Sequence, residues 1–251
     1  MLKEVCNIAK EAGKEVLKIY HKNFDIEFKN DNSPLTIADR KSHEIIVKGL
    51  EEISNFPIVS EEGKEIPYEE RKSWEYYWCI DPLDGTKEFI KKNGEFTINI
   101  ALIHNGEPVL GVVYAPAINV IYCAKKDEGA YKNGKKLINR NTNRPYKVVA
   151  SKSHMNEETK KFIKKLGNGE LISKGSSLKL CMVADGSADI YPRIAPTMEW
   201  DTAAADAIIR EVGKMTYIYN ENFKIDENLN AKGNLLKYNK ENLLNPYFVV
   251  V

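Results

Sequence analysis

Three strand-like runs follow one another between Phe96 and Ala124, separated only by the turn signals Asn105-Gly106 and Pro116. Asn-Gly between apolar runs is a strong hairpin signal, and Pro interrupts a strand because it cannot donate to the ladder. Strands joined by such short turns run antiparallel, so this stretch predicts a meander. Just upstream, Trp74 to Ile80 reads as a buried strand ending at Asp81. Leu2 to Tyr20 carries Val5, Ile8, Ala9, Ala12, Val16, Leu17 and Ile19 at roughly helical spacing. A strand-like run, Phe24 to Phe28, and a polar loop through Asn30, Asn32 and Pro34 follow it. A second helix is predicted from about Ile37 to Ile53, with Ile45, Ile46 and Leu50 facing inward.

After the polar stretch Asn139 to Pro145 the rhythm changes. Val148 to Ala150 reads as a strand, Glu157 to Leu166 as a helix, Leu178 to Ala184 as a helix, Ala188 to Tyr191 as a strand and Asp201 to Val212 as a helix. That alternation predicts an α/β half. The 251 residues suffice for one large domain or two modest ones sharing an interface, and the 43% hydrophobic content is that of a chain with a sizeable core. A boundary near residues 140–146 would divide an N-terminal part, 1–143, from a C-terminal part, 144–251.

Lys and Arg number 37 against 36 Asp and Glu, a formal net charge of +1. Such balance argues against nucleic acid as the main partner, though it leaves room for a local basic pocket. Cys6, Cys79, Cys123 and Cys181 are far apart and form no CxxC pair, so neither a disulfide framework nor a zinc ribbon is indicated. The N-terminus opens an amphipathic pattern, not the apolar run of a signal peptide, and no stretch approaches a transmembrane segment. The expectation is a cytoplasmic protein, with peripheral contact to the inner membrane surface left open. Oligomeric state is not legible.

The densest chemistry lies in Asp81-Pro82-Leu83-Asp84-Gly85-Thr86. A strand delivers two carboxylates, three residues apart, into a turn followed by a glycine and a hydroxyl. Hard divalent cations take oxygen ligands, and Mg2+ typically takes one or two carboxylates with phosphate oxygens and water. Gly85 and Thr86 would offer N–H groups and a hydroxyl to a phosphate at a helix start. The plain alternative is a Pro-Leu-Asp-Gly turn. Ser60-Glu61-Glu62-Gly63 follows the apolar run Phe56 to Val59; adjacent carboxylates there suit a cation or, equally simply, a solvated acidic loop. Thr36-Ile37-Ala38-Asp39 fits a helix capping box, and Asp39 could also face a metal site. Glu199-Trp200-Asp201-Thr202 opens an Ala-rich helix, where Asp201 is either an N-cap worth roughly 1 kcal/mol or a ligand. Together the four segments converge on metal-assisted phosphate hydrolysis.

In order and spacing, Ser33-Pro34-Leu35-Thr36 with Asp39, Ser60-Glu61-Glu62, Asp81 to Thr86 and Trp200-Asp201 resemble the inositol monophosphatase superfamily over nearly the whole chain. Lys87-Glu88-Phe89-Ile90 narrows the resemblance to 3'(2'),5'-bisphosphate nucleotidases of the CysQ type, since inositol monophosphatases more often carry Asn before that Phe. Ser151-Lys152-Ser153-His154 and Gly175-Ser176-Ser177-Leu178-Lys179 also resemble nucleotide-holding segments of those enzymes. Their simpler readings are a polar loop and a helix N-terminus. Arg193, after Tyr191-Pro192, could add a cation near the substrate.

The resemblance implies a layered α/β sugar-phosphatase fold: an N-terminal antiparallel sheet with helices, and a C-terminal smaller mixed α/β sheet. It implies two or three Mg2+ ions. One would be held by Glu61, Asp81 and the Leu83 carbonyl, a second by Asp81, Asp84 and Asp201, and a weaker third near Glu61 and Asp39. Asp39 and Thr86 would be catalytic. Glu61, Leu83, Asp84, Gly85, Thr86, His154, Gly175, Ser176, Lys179 and Asp201 would contact the substrate, a small nucleotide bisphosphate. The implied reaction converts adenosine 3',5'-bisphosphate to AMP and phosphate, with hydrolysis of 3'-phosphoadenosine 5'-phosphosulfate to adenosine 5'-phosphosulfate as a further activity. It would serve sulfur metabolism and be inhibited by lithium. An inositol or sugar-phosphate phosphatase of the same superfamily is the alternative. A non-catalytic nucleotide-binding protein conflicts with the full acidic set, and an exonuclease lacks an aromatic and basic array for single strands.

Overall fold

The computed structural model describes residues 1–22, 26–28, 34–139, 145–150, 156–167 and 169–251. Helix α1 (Leu2–Tyr20) buries Val5, Ile8, Ala9, Ala12 and Val16 along one stripe, as its periodicity requires. A short antiparallel pair, β1 (Ile26–Phe28) and β2 (Pro34–Thr36), leads into α2 (Ile37–Ile53). The start of α2 is fixed by a reciprocal capping box. The Ala38 N–H donates to Thr36 Oγ1 at 3.1 Å, while the Thr36 N–H donates to Asp39 Oδ2 at 2.7 Å.

The next strands build one sheet in the spatial order of the chain: β3 (Ile58–Ser60), β4 (Tyr76–Asp84), β5 (Thr97–His104), β6 (Glu107–Ala115), β7 (Val120–Lys125), β8 (Gly129–Lys132) and β9 (Lys135–Lys136). All neighbours are antiparallel except β3 and β4, which are parallel with α3 (Tyr68–Arg71) in their connection. At the β5–β6 turn Asn105 and Gly106 have φ of 49° and 77°, the left-handed pair that a tight hairpin needs. The expected meander is therefore present and continues through β8 and β9, whose brevity and lysines gave no strand signal. Strand β4 runs beyond Asp81 to Asp84, with its register against β5 broken between those two residues. Helix α4 (Thr86–Ile90) follows directly.

Both faces of the sheet are covered, which explains why β4 reads as an unbroken apolar run. Trp78 and Ile80 join the cluster under α1 and α2, with Ile98, Ile100 and Val112. Tyr77 and Cys79 point to the other face, into a cluster shared with Leu178, Ala203, Ile208 and Phe248. That second cluster draws on residues from both parts of the chain; the boundary itself, between 143 and 144, lies outside the described residues.

Towards the C-terminus β10 (Lys147–Ala150) pairs in parallel with β11 (Glu170–Ser173), and α5 (Glu157–Lys165) lies between them in sequence, capped by Asn156. Helix α6 (Leu178–Ala184), β12 (Tyr191–Arg193), α7 (Ala203–Glu211), β13 (Thr216–Ile218), the pair β14 (Lys224–Ile225) and β15 (Ala231–Lys232), and β16 (Phe248–Val250) complete the chain. Strands β12, β16 and β13 form an antiparallel sheet, which a parallel bridge from Val148 to Ile190 connects to β10. The region is thus mixed, as expected, but built from small pieces. The strand expected at Ala188 to Tyr191 begins only at Tyr191, because the Ala188 N–H is used to close the turn after α6 on Met182 O. The helix expected from Asp201 begins at Ala203, after a 3-10 turn over Glu199–Asp201. Among the described residues no helix is long and apolar enough to cross a membrane.

Helix α7 lies unusually close to the sheet. A Cβ on Gly111 of β6 would stand 2.0 Å from the Ala204 carbonyl oxygen and 2.8 Å from Ala207 Cβ. Small residues on both sides make the approach possible, and it holds Asp201, two residues before the helix, against the end of β4. Gly111→Ala is expected to cost about 1–3 kcal/mol by overpacking, read as a lower melting temperature. An unchanged melting temperature would show that the helix can move away from the sheet at no cost.

Candidate active site

Strand β3 ends at Ser60, and Glu61 continues it by donating its N–H to Ile80 O at 3.2 Å. The neighbouring β4 carries Asp81, 1% exposed, whose Oδ1 accepts the Leu83 N–H at 2.9 Å. Asp81 Oδ2 is buried, and among the described residues no N–H or hydroxyl reaches it. From α2, the Ser42 hydroxyl donates to Pro82 O at 2.7 Å and fixes the end of β4. Gly85 then turns the chain at φ 91°, a left-handed conformation suited to glycine, and α4 starts at Thr86.

Asp84 Oδ2 accepts from the Ser177 N–H and the Ser177 hydroxyl, both at 2.6 Å. Asp201 Oδ2 accepts the Met198 N–H at 2.8 Å, so Asp201 caps its own turn as well as facing the cluster. Asp81, Asp84 and Asp201 each bring one carboxylate oxygen within 4.8 Å of the others. Glu61 lies outside that set of three, yet its charge acts on both Asp81 and Asp201. Burial, then the charges of Glu61, Asp84 and Asp201, pushes the Asp81 carboxyl far above the usual range. Burial, then Asp84 and Glu61, pushes Asp201 up to about 8. An all-oxygen donor set, an orphaned buried oxygen and mutually repelling carboxylates fit a hard divalent cation.

Beside this cluster, Asp39 Oδ2 accepts the Thr36 N–H at 2.7 Å and the Thr36 hydroxyl at 2.6 Å. The Thr86 hydroxyl lies 3.3 Å from Asp39 Oδ1 and 3.4 Å from Leu83 O. Asp39 therefore caps α2, and its other oxygen meets Thr86 at the start of α4. Burial raises its carboxyl to about 6 against the opposing Thr36 hydrogen bonds, with Glu62 and Glu61 adding to the rise.

The opposite wall is the segment entering α6. Glu95 accepts the Gly175 N–H at 2.8 Å and pairs with Lys174 at 3.0 Å. Ser176 takes a left-handed φ of 48°, and its carbonyl receives Lys179 Nζ at 2.6 Å. Lys179 is 6% exposed and lies 5.7 Å from the Tyr191 ring centroid. Burial lowers its ammonium to about 8, opposed by Asp84 and reinforced by Arg193. One cavity is lined by Glu61, Asp84, Gly85, Thr86, Gly175, Ser176, Lys179, Arg193 and Asp201. These sequence-selected residues thus share one cleft, whereas Asp39, Asp81 and Leu83 do not line it. His154, like Ser33 and Ser151 to Ser153, lies outside the described residues. Ser177 and its partner Asn99 were missed as site residues. Ser177 sits in a segment that sequence reading did single out, whereas nothing local marks Asn99, whose amide meets Ser177 across 78 positions.

The chain belongs to the inositol monophosphatase family, whose model matches residues 1–247, and is a phosphomonoester hydrolase. Among its relatives is the 3'(2'),5'-bisphosphate nucleotidase CysQ of Escherichia coli (strain K12), 44% identical over 257 aligned positions that cover 100% of this chain and 99% of that one. The CysQ of Haemophilus influenzae is 36% identical, covering 100% and 92%. The crystal structure of CysQ from Bacteroides thetaiotaomicron superposes with a TM-score of 0.86 at 45% identity, over 99% of this chain and 96% of that one. Inositol monophosphatase II of Staphylococcus aureus shares the fold at a TM-score of 0.77 and 23% identity, covering 99% and 89%.

Carboxyls raised above their unfolded values bind protons more tightly in the folded state, so ionising them destabilises the fold. In chelator, the melting temperature is expected to fall as pH rises from about 4 to about 8, between the ordinary carboxylate range and the raised values of Asp39 and Asp201. Excess Mg2+ should flatten that slope. Asp81→Asn should raise the melting temperature in chelator by about 2–4 °C, the equivalent of about 1 kcal/mol in a chain this size, and remove the response to Mg2+. A variant less stable than wild type in chelator would contradict the repulsion described.

Proposed function

We propose that this phosphatase hydrolyses adenosine 3',5'-bisphosphate to AMP and phosphate with Mg2+, and 3'-phosphoadenosine 5'-phosphosulfate to adenosine 5'-phosphosulfate as a second reaction. The observation that carries the reading is one cavity lined by both carboxylates, Asp84 and Asp201, and cations, Lys179 and Arg193. A substrate with one phosphoryl group to lose at a cation site and a second to retain against fixed cations suits a lining of both signs. The CysQ relatives are named as bisphosphate nucleotidases, which supports the same choice.

Glu61, Asp81 and the Leu83 carbonyl would hold one Mg2+, and Asp81, Asp84 and Asp201 another, with a third near Glu61 and Asp39. When bound, such ions neutralise charge on phosphoryl oxygens and lower the pKa of a bound water. The chain's own contribution starts at Asp39. Its Oδ2 is committed to Thr36, which leaves Oδ1 facing the Thr86 hydroxyl. Thr86 would orient the attacking water and pass its proton to Asp39 Oδ1. A carboxyl raised to about 6 is a serviceable base near neutral pH. Gly85 and Thr86 would hold the departing phosphoryl group at the start of α4. Gly175 and Ser176 would line the retained nucleotide, and Lys179 would meet its phosphate as a compact point charge. His154 belongs to the same proposal by resemblance. The chemistry proceeds by direct displacement, with no covalent enzyme intermediate.

The reading places the protein in the cytoplasm, clearing a by-product of sulfate assimilation, and makes it sensitive to lithium. The test is phosphate release from adenosine 3',5'-bisphosphate and from inositol 1-phosphate, with Mg2+, for wild type and Asp84→Asn. The nucleotide should be preferred at least tenfold, and Asp84→Asn should lose at least a hundredfold of kcat. Preference for inositol 1-phosphate would retain the cation site and overturn the substrate assignment.

A further inference from the structure

Two segments far apart in sequence supply Asp84 and Asp201, and Ser177 stands between them. Its N–H and Oγ each lie 2.6 Å from Asp84 Oδ2, and Oγ lies 2.8 Å from the Asp201 main-chain oxygen. A hydroxyl has one proton to give, so those two acceptors compete for it. Asn99, 1% exposed on β5, donates its amide to Ser177 Oγ at 2.8 Å and so occupies a lone pair of that oxygen. The hydroxyl is thereby aimed at the two acidic segments. Asp84 is thus held at Oδ2 by both donors of Ser177, with the Thr97 hydroxyl at 3.4 Å, while one of its oxygens stands within 4.8 Å of those of Asp81 and Asp201.

Ser177 also lies within the segment, Gly175 to Lys179, that would hold the nucleotide. Gly175 is tied to Glu95, Ser176 is left-handed, and the Ser176 carbonyl carries Lys179 Nζ. A Cβ on Gly175 would come within 2.9 Å of both Glu88 Cγ and the Glu95 carbonyl oxygen, so the segment has little room to shift alone. Any ligand that draws Lys179 or the Gly175–Ser176 backbone acts on the Ser176–Ser177 peptide, whose own N–H holds Asp84.

We propose that Ser177, backed by Asn99, is a positioning residue that couples retention of the nucleotide to cation binding, so that each ligand strengthens the other. The proposal rests on the nucleotide reading above. By linkage the two enhancements must be equal in size. A ligand of the Gly175–Lys179 segment that steadies Ser177 steadies Asp84, and a cation on Asp84 presents that segment in the geometry the nucleotide needs.

The experiment is calorimetric titration of Mg2+, of AMP, and of Mg2+ in saturating AMP, with wild type, Ser177→Ala and Ser177→Thr. In wild type, AMP should tighten Mg2+ binding by about fivefold or more, the lower range of allosteric coupling. Ser177→Ala, which loses the hydroxyl and keeps the N–H, should lower that factor to about two or below while AMP binding without Mg2+ changes less than about twofold. Ser177→Thr, which keeps the hydroxyl and the N–H, should restore the factor. If Ser177→Ala does not fold, Asn99→Ala leaves both Ser177 donors in place and should still reduce the factor. An unchanged factor in these variants, or equal weakening of both ligands with the factor intact, overturns the coupling alone. Wild type that binds Mg2+ but not AMP overturns the nucleotide reading and the coupling with it.

Discussion

At the end of β4 a nearly buried Asp81 faces Glu61, Asp84 and Asp201, and like charges so placed cannot all ionise in a low-dielectric interior. The surrounding architecture holds these groups together against that repulsion. The sheet presses Glu61 beside Asp81 through the parallel β3–β4 pair, and Ser42 and Leu83 fix the turn that carries Asp84. Helix α7 packs backbone against sheet at Gly111 and so delivers Asp201 from the far end of the chain. Rigidity on every side converts repulsion into demand for a cation.

Glu199 shows how much structure supports a single carboxylate of the cluster. This carboxylate is completely buried and accepts from the Tyr77 hydroxyl at 3.2 Å, from the Asn239 and Lys240 N–H groups at 2.8 and 3.0 Å, and from Lys240 Nζ at 2.5 Å. A charge with four donors is stable where a bare one would not be. It anchors the turn whose third residue is Asp201, tying it at once to β4 and to the segment at 239–240. The acidic site is thus placed by another carboxylate that is fully satisfied.

Local signals account for most of what the sequence revealed. Helix α2 could be bounded at Ile37 and Ile53 because its capping box and apolar stripe are contained within the element, and the β5–β6 hairpin because Asn105-Gly106 encodes its own turn. Asp81, Asp84 and Thr86 were legible for the same reason. What stayed hidden depends on distant partners. Strand β16 is three buried residues whose role is set by β12 and β13, and Asn99 reads as one polar residue in an apolar strand until Ser177 is folded against it. The start of β12 was misplaced because the turn after α6 claims Ala188.

Asp39 joins the two kinds of information in one side chain. One oxygen closes the first turn of α2 and the other faces Thr86. Asparagine at that position could still accept the Thr36 N–H, but it could not take a proton from water. Glutamate could take the proton, but its extra methylene would carry the carboxylate past the cap. Under the proposed reaction the position therefore admits a single amino acid, chosen jointly by the helix that begins there and by the proton acceptor the proposal puts there.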